Sequence, residues 1–522
     1  MRSGFVEKLW CILVILQLAA PLSAQTPSAG SSGDLLAPVR VLFVQGDFRG
    51  AAAAYQALID QKPSPEAYTG LVQSLLKLDD VDAAARKASK ALELFPQSAV
   101  VLAAAGDVKF RQGLIAEAED QYTAALKLDE KCARAWLGMG RIDSAESQSR
   151  RSREALARAR ELAPDDGDIL FYWAAGLTYP QNVTELERHL GEFRDDAERE
   201  RHEREYVDFL KALAGRKVWV PARDVQQTEI KLSPIFADSP VAQQDNASLL
   251  AATTGSSDAR LRGYSLQVKL NGRARASVML DTGASGLTIS RKLAKKIGAK
   301  ILTEHSLEGV GNAGPLKGYE AWVDKVTIGE LEFHDCHVHV MPGRNPDYDG
   351  LIGTDVFADH LIIVDLPAHK LRLEPLPKLA EQIPGHAPAS MGSLTQFYRF
   401  GHMLLMPTRV GGPAGGLFLL DTGFSTSAIS PQLARQVSKV RDSNLSVKGV
   451  SGSVKNVFTA DEVVLEFSRF RRAYQDIATF DVHGLSKDLG TEVSGFIGFT
   501  TLKTMKMIID YRDGLVDFES KP

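Results

Sequence analysis

A short run of residues occurs twice in the second half of this 522-residue chain, and it constrains the fold more than any other feature. Val278-Met279-Leu280-Asp281-Thr282-Gly283-Ala284-Ser285 returns 140 positions later as Phe418-Leu419-Leu420-Asp421-Thr422-Gly423-Phe424-Ser425. Short alternating runs of Val, Leu, Ile and Phe, separated by Gly and Pro, surround both copies and predict β-strands joined by tight turns. A single Asp-Thr-Gly arises by chance about once in several thousand residues at average composition. Two copies in register indicate an internal repeat.

The correspondence between the two halves extends well beyond the triplets. Gly350-Leu351-Ile352-Gly353 matches Gly495-Phe496-Ile497-Gly498 at an offset of 145, and Ile363-Val364-Asp365 matches Ile508-Ile509-Asp510 at the same offset. The change in offset falls between turns, where insertions cost little. We infer a duplicated unit, with copies at 260–376 and 395–522 and an inter-lobe linker at 377–394.

Two Asp-Thr-Gly triplets in register, each behind three apolar residues and each followed by an apolar-apolar-Gly run, resemble the aspartic peptidases. The compact size of each copy resembles the retropepsin-like branch rather than the larger pepsin lobes. This resemblance covers residues 260–376 and 395–520. It implies a mainly-β, double-lobed aspartic protease fold with a peptide or protein as substrate.

The resemblance assigns catalysis to Asp281 and Asp421. Peptide hydrolysis without a metal or covalent nucleophile needs a base that activates water and an acid that protonates the carbonyl oxygen. Two carboxylates within hydrogen-bond distance supply both, because like charges that close share one proton and titrate as a unit. We therefore expect no cofactor.

The residues around the two aspartates have supporting roles in the family pattern. The glycines of the triplets allow a tight turn, and the threonine hydroxyls bond to the opposite loop and lock the lobes together. The two glycines that end the apolar-apolar-Gly runs lie on segments that pass behind the loops. These support positions are Thr282, Gly283, Gly353, Thr422, Gly423 and Gly498.

One position departs from the family pattern. Pepsins place Ser or Thr directly after Asp-Thr-Gly, where its hydroxyl stabilises the ionised pair, whereas Ala284 and Phe424 stand here. Ala is the retroviral choice, but Phe424 is bulky and its side chain cannot donate. Because one hydrogen bond to the charged form is missing, we expect a pH optimum less acidic than that of pepsins.

Two Gly-rich segments are candidates for a mobile flap over the cleft. They lie at 307–314 and 448–453 and include Gly309, Gly311, Gly449 and Gly452. Single-chain pepsins use one flap and retropepsin dimers use two. The alternative is therefore that one of the two segments is an ordinary surface turn.

The N-terminal part has a period of 34 residues and is rich in Ala and Leu. Three sets of positions recur at this interval: Tyr68, Leu102 and Trp136; Ala91, Ala125 and Ala159; Pro96, Glu130 and Pro164. The pattern resembles the tetratricopeptide repeat and predicts all-α helical repeats at 36–165. Such an array presents a groove for a protein partner, or else serves as a spacer or dimerisation scaffold.

The next segments are less regular. Residues 166–216 read as a capping helix followed by charged helices, because acidic and basic side chains alternate on what we expect to be a solvated face. Residues 217–259, whose second half is rich in Ser, Gln, Asn, Ala, Thr and Gly, are expected to form a linker.

The first residues have the order of a secretory signal. Arg2 and Lys8 precede an apolar run at 9–20, and small residues up to Ala24 follow. The run is shorter than the roughly 20 residues that span a bilayer, so an uncleaved anchor is the weaker alternative. We predict a signal peptide at 1–24 and a secreted or periplasmic protein.

The charge and cysteine content of the chain exclude two features: a broad nucleic-acid-binding surface and a disulfide framework. Sixty-one basic and 65 acidic residues give a net charge of −4, so the chain lacks the broad basic surface that binds nucleic acid. Beyond the signal only Cys132 and Cys336 remain, too few for a disulfide framework.

One histidine cluster is a candidate metal site. His337 and His339 would share one face of a strand, and His334 and Cys336 lie beside them. Since no third ligand has suggestive spacing, we predict a packed or solvent-facing strand and no metal.

The favoured hypothesis is an aspartic endopeptidase in which the two lobes of one chain pair around Asp281 and Asp421. Each lobe could instead pair with its equivalent in a second chain. The alternative from another class is a non-catalytic scaffold that uses the repeats and the protease-like lobes to hold peptides or proteins.

Overall fold

The computed structural model describes residues 35–190, 197–236, 260–307, 310–311, 316–343, 347–377, 393–445, 447–449 and 452–520. The predicted signal peptide at 1–24 therefore lies outside the described residues, as do Gly309, residues 237–259 of the expected linker and residues 378–392 between the lobes.

The N-terminal part is helical. Its helices are α1 Ala37–Val44, α2 Phe48–Gln61, α3 Pro65–Lys77, α4 Val81–Leu94, α5 Ala99–Arg111, α6 Ile115–Leu128, α7 Ala133–Ala145, α8 Ser149–Leu162, α9 Gly167–Ala175, α10 Gln181–Leu190 and α11 Ala197–Leu213. Side-chain caps begin several of them: Asp47 accepts from the Gly50 N–H at 2.8 Å and Asp80 from the Ala83 N–H at 3.0 Å.

The 34-residue period corresponds to packing between consecutive helices. Ala91, Ala125 and Ala159 are all fully buried. A Cβ built at Gly138 would overlap the ring of Tyr122, so only glycine allows the helices this approach. The predicted helical-repeat class of the N-terminal part is confirmed.

The C-terminal part is mainly β. Its strands are β1 Val220–Pro221, β2 Thr228–Lys231, β3 Ser233–Phe236, β4 Leu261–Leu270, β5 Ala274–Leu280, β6 Leu287–Ser290, β7 Lys300–Leu307, β8 Leu316–Ile328, β9 Leu331–Met341, β10 Gly350–Ile352, β11 His360–Asp365, β12 Lys370–Pro375, β13 Thr395–Gln396, β14 Tyr398–Phe400, β15 Met403–Val410, β16 Gly415–Asp421, β17 Ala428–Ile429, β18 Val440–Asp442, β19 Lys448–Gly449, β20 Gly452–Ser453, β21 Phe458–Phe467, β22 Phe470–Thr479, β23 Gly495–Gly498, β24 Met505–Asp510 and β25 Leu515–Ser520. Four short α-helices lie among them in the described residues: α12 Arg291–Ile297, α13 Pro431–Val437, α14 His483–Leu489 and α15 Phe499–Leu502; a 3-10 helix spans Thr354–Phe357.

The strands form two lobes with the same pairing order. In the first lobe β9, β6, β10, β5, β4 and β8 pair in that order, and β8 pairs back with β9 to close a ring. In the second lobe β22, β17, β23, β16, β15 and β21 do the same, with β21 pairing back to β22. A closed ring leaves few exposed strand edges. The expected mainly-β fold class is confirmed.

A third sheet joins the two lobes beneath these rings. Its order is β13-β25-β24-β11-β12-β2, and the central pair β11–β24 sets Ile363 of one lobe opposite Ile508 of the other. Side chains of both lobes pack on this sheet in one apolar core. Because strands of both copies share its hydrogen bonds, the two lobes form one body within a single chain.

The expected linker at 217–259 is wrong for its first part. β1 pairs with β9, β2 adds an edge to the sheet shared by the lobes, and β3 pairs with β4. Ile230 and Ile235 are buried in these pairings. The strands are too short for a local pattern to reveal them, and their distant partners stabilise them.

The helical part packs against the second lobe. Phe110, at the end of α5, meets Phe400 of β14 edge to face with ring centroids 6.1 Å apart, and the Arg141 guanidinium stands 4.0 Å above the Phe110 ring. The Thr491 hydroxyl donates to the Phe110 carbonyl at 2.7 Å. One apolar cluster contains Tyr122 of the repeats and Phe496 of the second lobe, so repeats and lobe share a core.

Among the described residues, no helix has both the length and the apolar character needed to cross a membrane.

Candidate active site

The two Asp-Thr-Gly loops follow directly from the strand order. β10 lies between β5, to which it is parallel, and β6, to which it is antiparallel, and the Asp281 N–H donates to the Ile352 carbonyl at 3.0 Å. β23 occupies the same place between β16 and β17 in the second lobe. Each loop therefore leaves a buried strand beside a second short strand, and the pairing of the lobes brings both loops together.

The carboxylates of Asp281 and Asp421 lie side by side, each against the glycine of the opposite loop. In each loop the glycine of the triplet donates its N–H to the aspartate Oδ1 at 2.8 Å. A Cβ at Gly283 would lie 2.8 Å from Cγ of Asp421, and a Cβ at Gly423 would overlap the Asp281 carboxylate. Only glycine leaves room for the two carboxylates to meet.

The electrostatics of this pair favour one shared proton. Burial raises the pKa of Asp281. Burial, followed by repulsion from Asp281, raises the pKa of Asp421 well above its ordinary value. Two carboxylates in contact at this depth retain a proton between them over a pH range in which a free aspartate would be ionised.

Two threonines connect the loops across the lobe boundary. The Thr282 N–H donates to the Thr422 hydroxyl and the Thr422 N–H to the Thr282 hydroxyl, both at 3.0 Å. The Thr282 hydroxyl then donates to the Leu420 carbonyl at 2.7 Å, and the Thr422 hydroxyl to the Leu280 carbonyl at 3.0 Å. Four buried hydrogen bonds thus fix the relative position of the aspartates.

Gly353 and Gly498 lie directly behind the loops. The Gly353 N–H donates to the Gly286 carbonyl at 2.7 Å, and a Cβ on Gly353 would overlap the Ala284 carbonyl oxygen. A Cβ on Gly498 would overlap the Thr426 carbonyl oxygen. At these two positions the backbone therefore runs too close to the loops to carry a side chain.

Phe424 points into the apolar interior of the second lobe. Its ring stacks on Phe496 with centroids 4.7 Å apart and lies 5.8 Å from Phe480. Its backbone N–H donates to Asp421 Oδ1 at 2.9 Å. The residue thus supplies packing and a backbone donor, and no side-chain hydrogen bond reaches the carboxylates from this position.

The two candidate flaps approach each other. β19 and β20 pair as a small hairpin with Gly449 opposite Gly452, and Gly449 lies so close to the Val310 backbone that a Cβ there would overlap it. Gly311 and Gly452 have φ of 137° and 87°, a region that glycine enters freely. Among the described residues of both segments, the two chains meet where Gly449 lies against Val310.

Two residues near the loops have no counterpart in the sequence prediction. His402, just before β15, donates from Nε2 to the Gly283 carbonyl at 3.1 Å, and burial lowers its pKa. Asp355 accepts the Gly286 N–H at 3.0 Å on both carboxylate oxygens. The position of Asp355, two residues after Gly353, is a signal that could have identified it, whereas His402 belongs to the other lobe and has no local signal.

The structure brings together three candidate metal ligands that the spacing along the chain does not indicate. β7 and β8 bring His305 and Glu320 beside His339, and the ligand atoms of these three residues lie within 4.8 Å of one another. Spacing along the chain could not show this, because the residues come from three strands.

The comparisons with known proteins agree with this architecture. Residues 266–356 match the aspartyl protease family, and residues 36–99 and 103–142 match the tetratricopeptide repeat. The chain thus contains an aspartyl protease domain preceded by tetratricopeptide repeats. The first match includes Asp281 and ends before the second lobe.

Among solved structures, a thermophilic tetratricopeptide repeat protein of Thermus thermophilus is 17% identical to this chain, with a TM-score of 0.28. The match spans 34% of this chain and 97% of the Thermus chain. That likeness is too low to add to the argument. No curated protein is significantly similar to the chain.

Proposed function

We propose that this protein is a retropepsin-like aspartic endopeptidase whose two duplicated lobes form one active site within a single chain. The observation that carries the proposal is the contact between the Asp281 and Asp421 carboxylates, held by the reciprocal threonine bonds. Matching ring topologies in the two lobes support a duplication.

This geometry supports hydrolysis of a peptide bond by an activated water. The pair in its one-proton form binds a water molecule, and the ionised carboxylate removes a proton as the water oxygen attacks the carbonyl carbon of the scissile peptide. The protonated carboxyl gives its proton to the carbonyl oxygen. Collapse of the tetrahedral intermediate breaks the C–N bond. The leaving nitrogen takes up the proton that the pair received from water, and a hydroxyl of the intermediate returns a proton to the other carboxylate, which restores the one-proton pair. No metal and no covalent intermediate takes part.

The flaps and the repeats fit a protein substrate. A bound extended peptide would lie between the carboxylates and the tips at Val310 and Gly449 and form backbone hydrogen bonds with both. The repeats pack on the second lobe through Phe110 and Phe400, so a protein docked on the repeats would be held at a fixed position relative to the cleft. The charged, apolar and small residues at 1–24 support export to a secreted or periplasmic location.

A peptide-library digestion tests the function. The full chain is incubated with the library over a range of pH, in water enriched in oxygen-18, and the products are read by mass spectrometry. The proposal expects internal cleavage, with one heavy oxygen in each new carboxyl group. Peptide binding without cleavage at any pH would contradict it and favour the non-catalytic scaffold.

A further inference from the structure

Outside the proposed active site, three strands of the first lobe place imidazoles and a carboxylate on one face of the sheet. Glu320 of β8 stands directly opposite His339 of β9, and His337 lies two residues along the same face. On the other side of Glu320, β7 places Thr303 opposite it and His305 two residues further on. Residues two apart on a strand share a face. The three imidazoles therefore converge on the carboxylate of Glu320.

The distances among these groups suit a shared cation. Oε1 of Glu320 is 3.1 Å from Nδ1 of His305 and 3.2 Å from Nδ1 of His339. Ligand atoms that share a tetrahedral zinc at the usual bond lengths are about 3.4 Å apart. The two separations from Glu320 are close to that value, and the ligand atoms of all three residues lie within 4.8 Å of one another, without any ion to draw the groups together.

One of these nitrogens is an unsatisfied polar atom. Nδ1 of His305 is buried, and within the part of the chain that the structure describes it makes no hydrogen bond, although Glu320 lies in front of it. A buried polar atom without a partner is costly. A cation between the nitrogen and the carboxylate would satisfy both groups.

Neighbouring side chains hold the cluster in place. His337 bonds through Nε2 to the second oxygen of Glu320, and the ring of Phe209 on α11 lies 4.6 Å from the His337 ring. Glu205 of α11 accepts the N–H and the hydroxyl of Ser306, both at 3.0 Å, next to His305. Such an outer shell fixes ligand orientation at many metal sites.

We propose that His305, Glu320 and His339 form a zinc-binding site that fastens β7 to the sheet beneath α11. Two imidazoles and one carboxylate are the donors that zinc accepts, whereas calcium and magnesium prefer sites made of oxygen alone. β7 leads directly to the first candidate flap, and Gly286, three residues after Gly283, lies close enough that a Cβ there would be 3.9 Å from the His339 ring. The ion therefore sits beside the aspartate loop and stiffens its surroundings without contacting the reacting atoms.

Zinc content tests the proposal independently of any peptidase activity. The full chain, produced without a histidine tag, is stripped with a chelator, incubated with zinc chloride, passed through a desalting column and analysed by elemental mass spectrometry. We expect one zinc ion per wild-type chain and a higher melting temperature with zinc than without it. Replacing His305 or His339 by Ala should weaken zinc binding at least about tenfold and remove the melting shift.

Matched variants keep the result interpretable. His334→Ala changes an exposed histidine of the same strand and should leave zinc binding unchanged. If His305→Ala does not fold, His305→Gln keeps a side chain of similar length and is checked by circular dichroism. A folded wild-type chain that retains no zinc, or a His339→Ala variant that retains as much as the wild type, overturns the proposal. Equal retention of calcium also overturns it.

Discussion

Thr282 and Thr422 are each other's hydrogen-bond partners across the lobe boundary, with each amide donating to the other's hydroxyl at 3.0 Å. Both residues are almost completely buried, and each hydroxyl continues to a carbonyl of the opposite loop. The two loops are thereby fixed to each other rather than only to their own lobes.

Thr422→Val removes this reciprocal bonding while keeping the side-chain shape. The Thr282 N–H and the Leu280 carbonyl lose their partners, and a buried unsatisfied polar group costs about 1–3 kcal/mol. We expect a lower free energy of unfolding in urea and reduced peptidase activity. Thr184→Val, on the exposed face of α10, is the control and should change neither. A Thr422→Val protein as stable as the wild type would show that the hydrogen bonds between Thr282 and Thr422 do not stabilise the fold.

Gly423→Ala places a methyl group where the Asp281 carboxylate now lies. The two carboxylates must move apart, and a displacement of 1 Å at a reacting group lowers the rate by about 100-fold. We expect kcat/KM to fall by that order while the circular dichroism spectrum is retained. Gly484→Ala, where a Cβ meets nothing within 4 Å, should keep wild-type activity. Full activity in Gly423→Ala would show that the aspartates need not meet.

The pH profile of cleavage should be displaced toward neutral pH relative to a pair of ordinary aspartates. The pair needs one ionised and one protonated carboxyl; because burial raises the pKa of Asp281 and Asp421, both limbs of the bell-shaped profile move to higher pH. The dependence of kcat/KM on pH measures this directly. An optimum near pH 2 to 3 is the result that this account does not allow.

Phe424→Ser introduces the hydroxyl that the second loop lacks. A donor to the ionised pair lowers its pKa, so the acidic limb should move to lower pH. The variant also loses the stacking on Phe496 and Phe480; because Phe424 is only partly buried, the loss of stability should be smaller than the about 3–5 kcal/mol for a fully buried Phe. Phe424→Leu keeps apolar contact without a donor and should leave the acidic limb in place. An identical acidic limb in the Ser and Leu variants would argue against the role of this position.

Phe400→Ala weakens the contact between the repeats and the second lobe. Edge-to-face aromatic pairs contribute about 0.5–1.5 kcal/mol beyond their buried area, and Phe110 loses that partner. In scanning calorimetry we expect the helical and β parts to unfold less cooperatively, with the heat-absorption peak broadening or dividing. Phe236→Ala, at an exposed strand residue, should leave the peak unchanged. An unaltered peak in Phe400→Ala would mean that this pair does not couple the two parts.

The sequence predicts those parts of the fold and the site that depend on a local pattern of residues. The helical repeats follow from small residues such as Ala91 and Ala125, which recur because helix packing needs them at fixed intervals. The aspartate loops follow from a duplicated run that includes its own support glycines. Each of these features is encoded by residues close together in the chain.

The features that the sequence does not predict depend on contacts between segments that are distant in the chain. β2 has no local signal, because its stabilisation comes from β12, far along the chain, and not from its own four residues. The cluster of His305, Glu320 and His339 has none either, because three strands supply it. His402 reaches the Gly283 loop from the other lobe, so nothing near either residue signals the contact.

The most direct test compares cleavage by the wild type, Asp281→Asn and Asp421→Asn on one efficient peptide at its optimum pH, with native mass measured for each protein. Asn keeps the shape of the side chain but can act neither as the base nor as the acid. A single active site shared by the two lobes predicts an active wild-type monomer and a loss of at least about 100-fold in kcat/KM in each variant, with the fold retained. Full activity in either variant would contradict the shared pair of carboxylates.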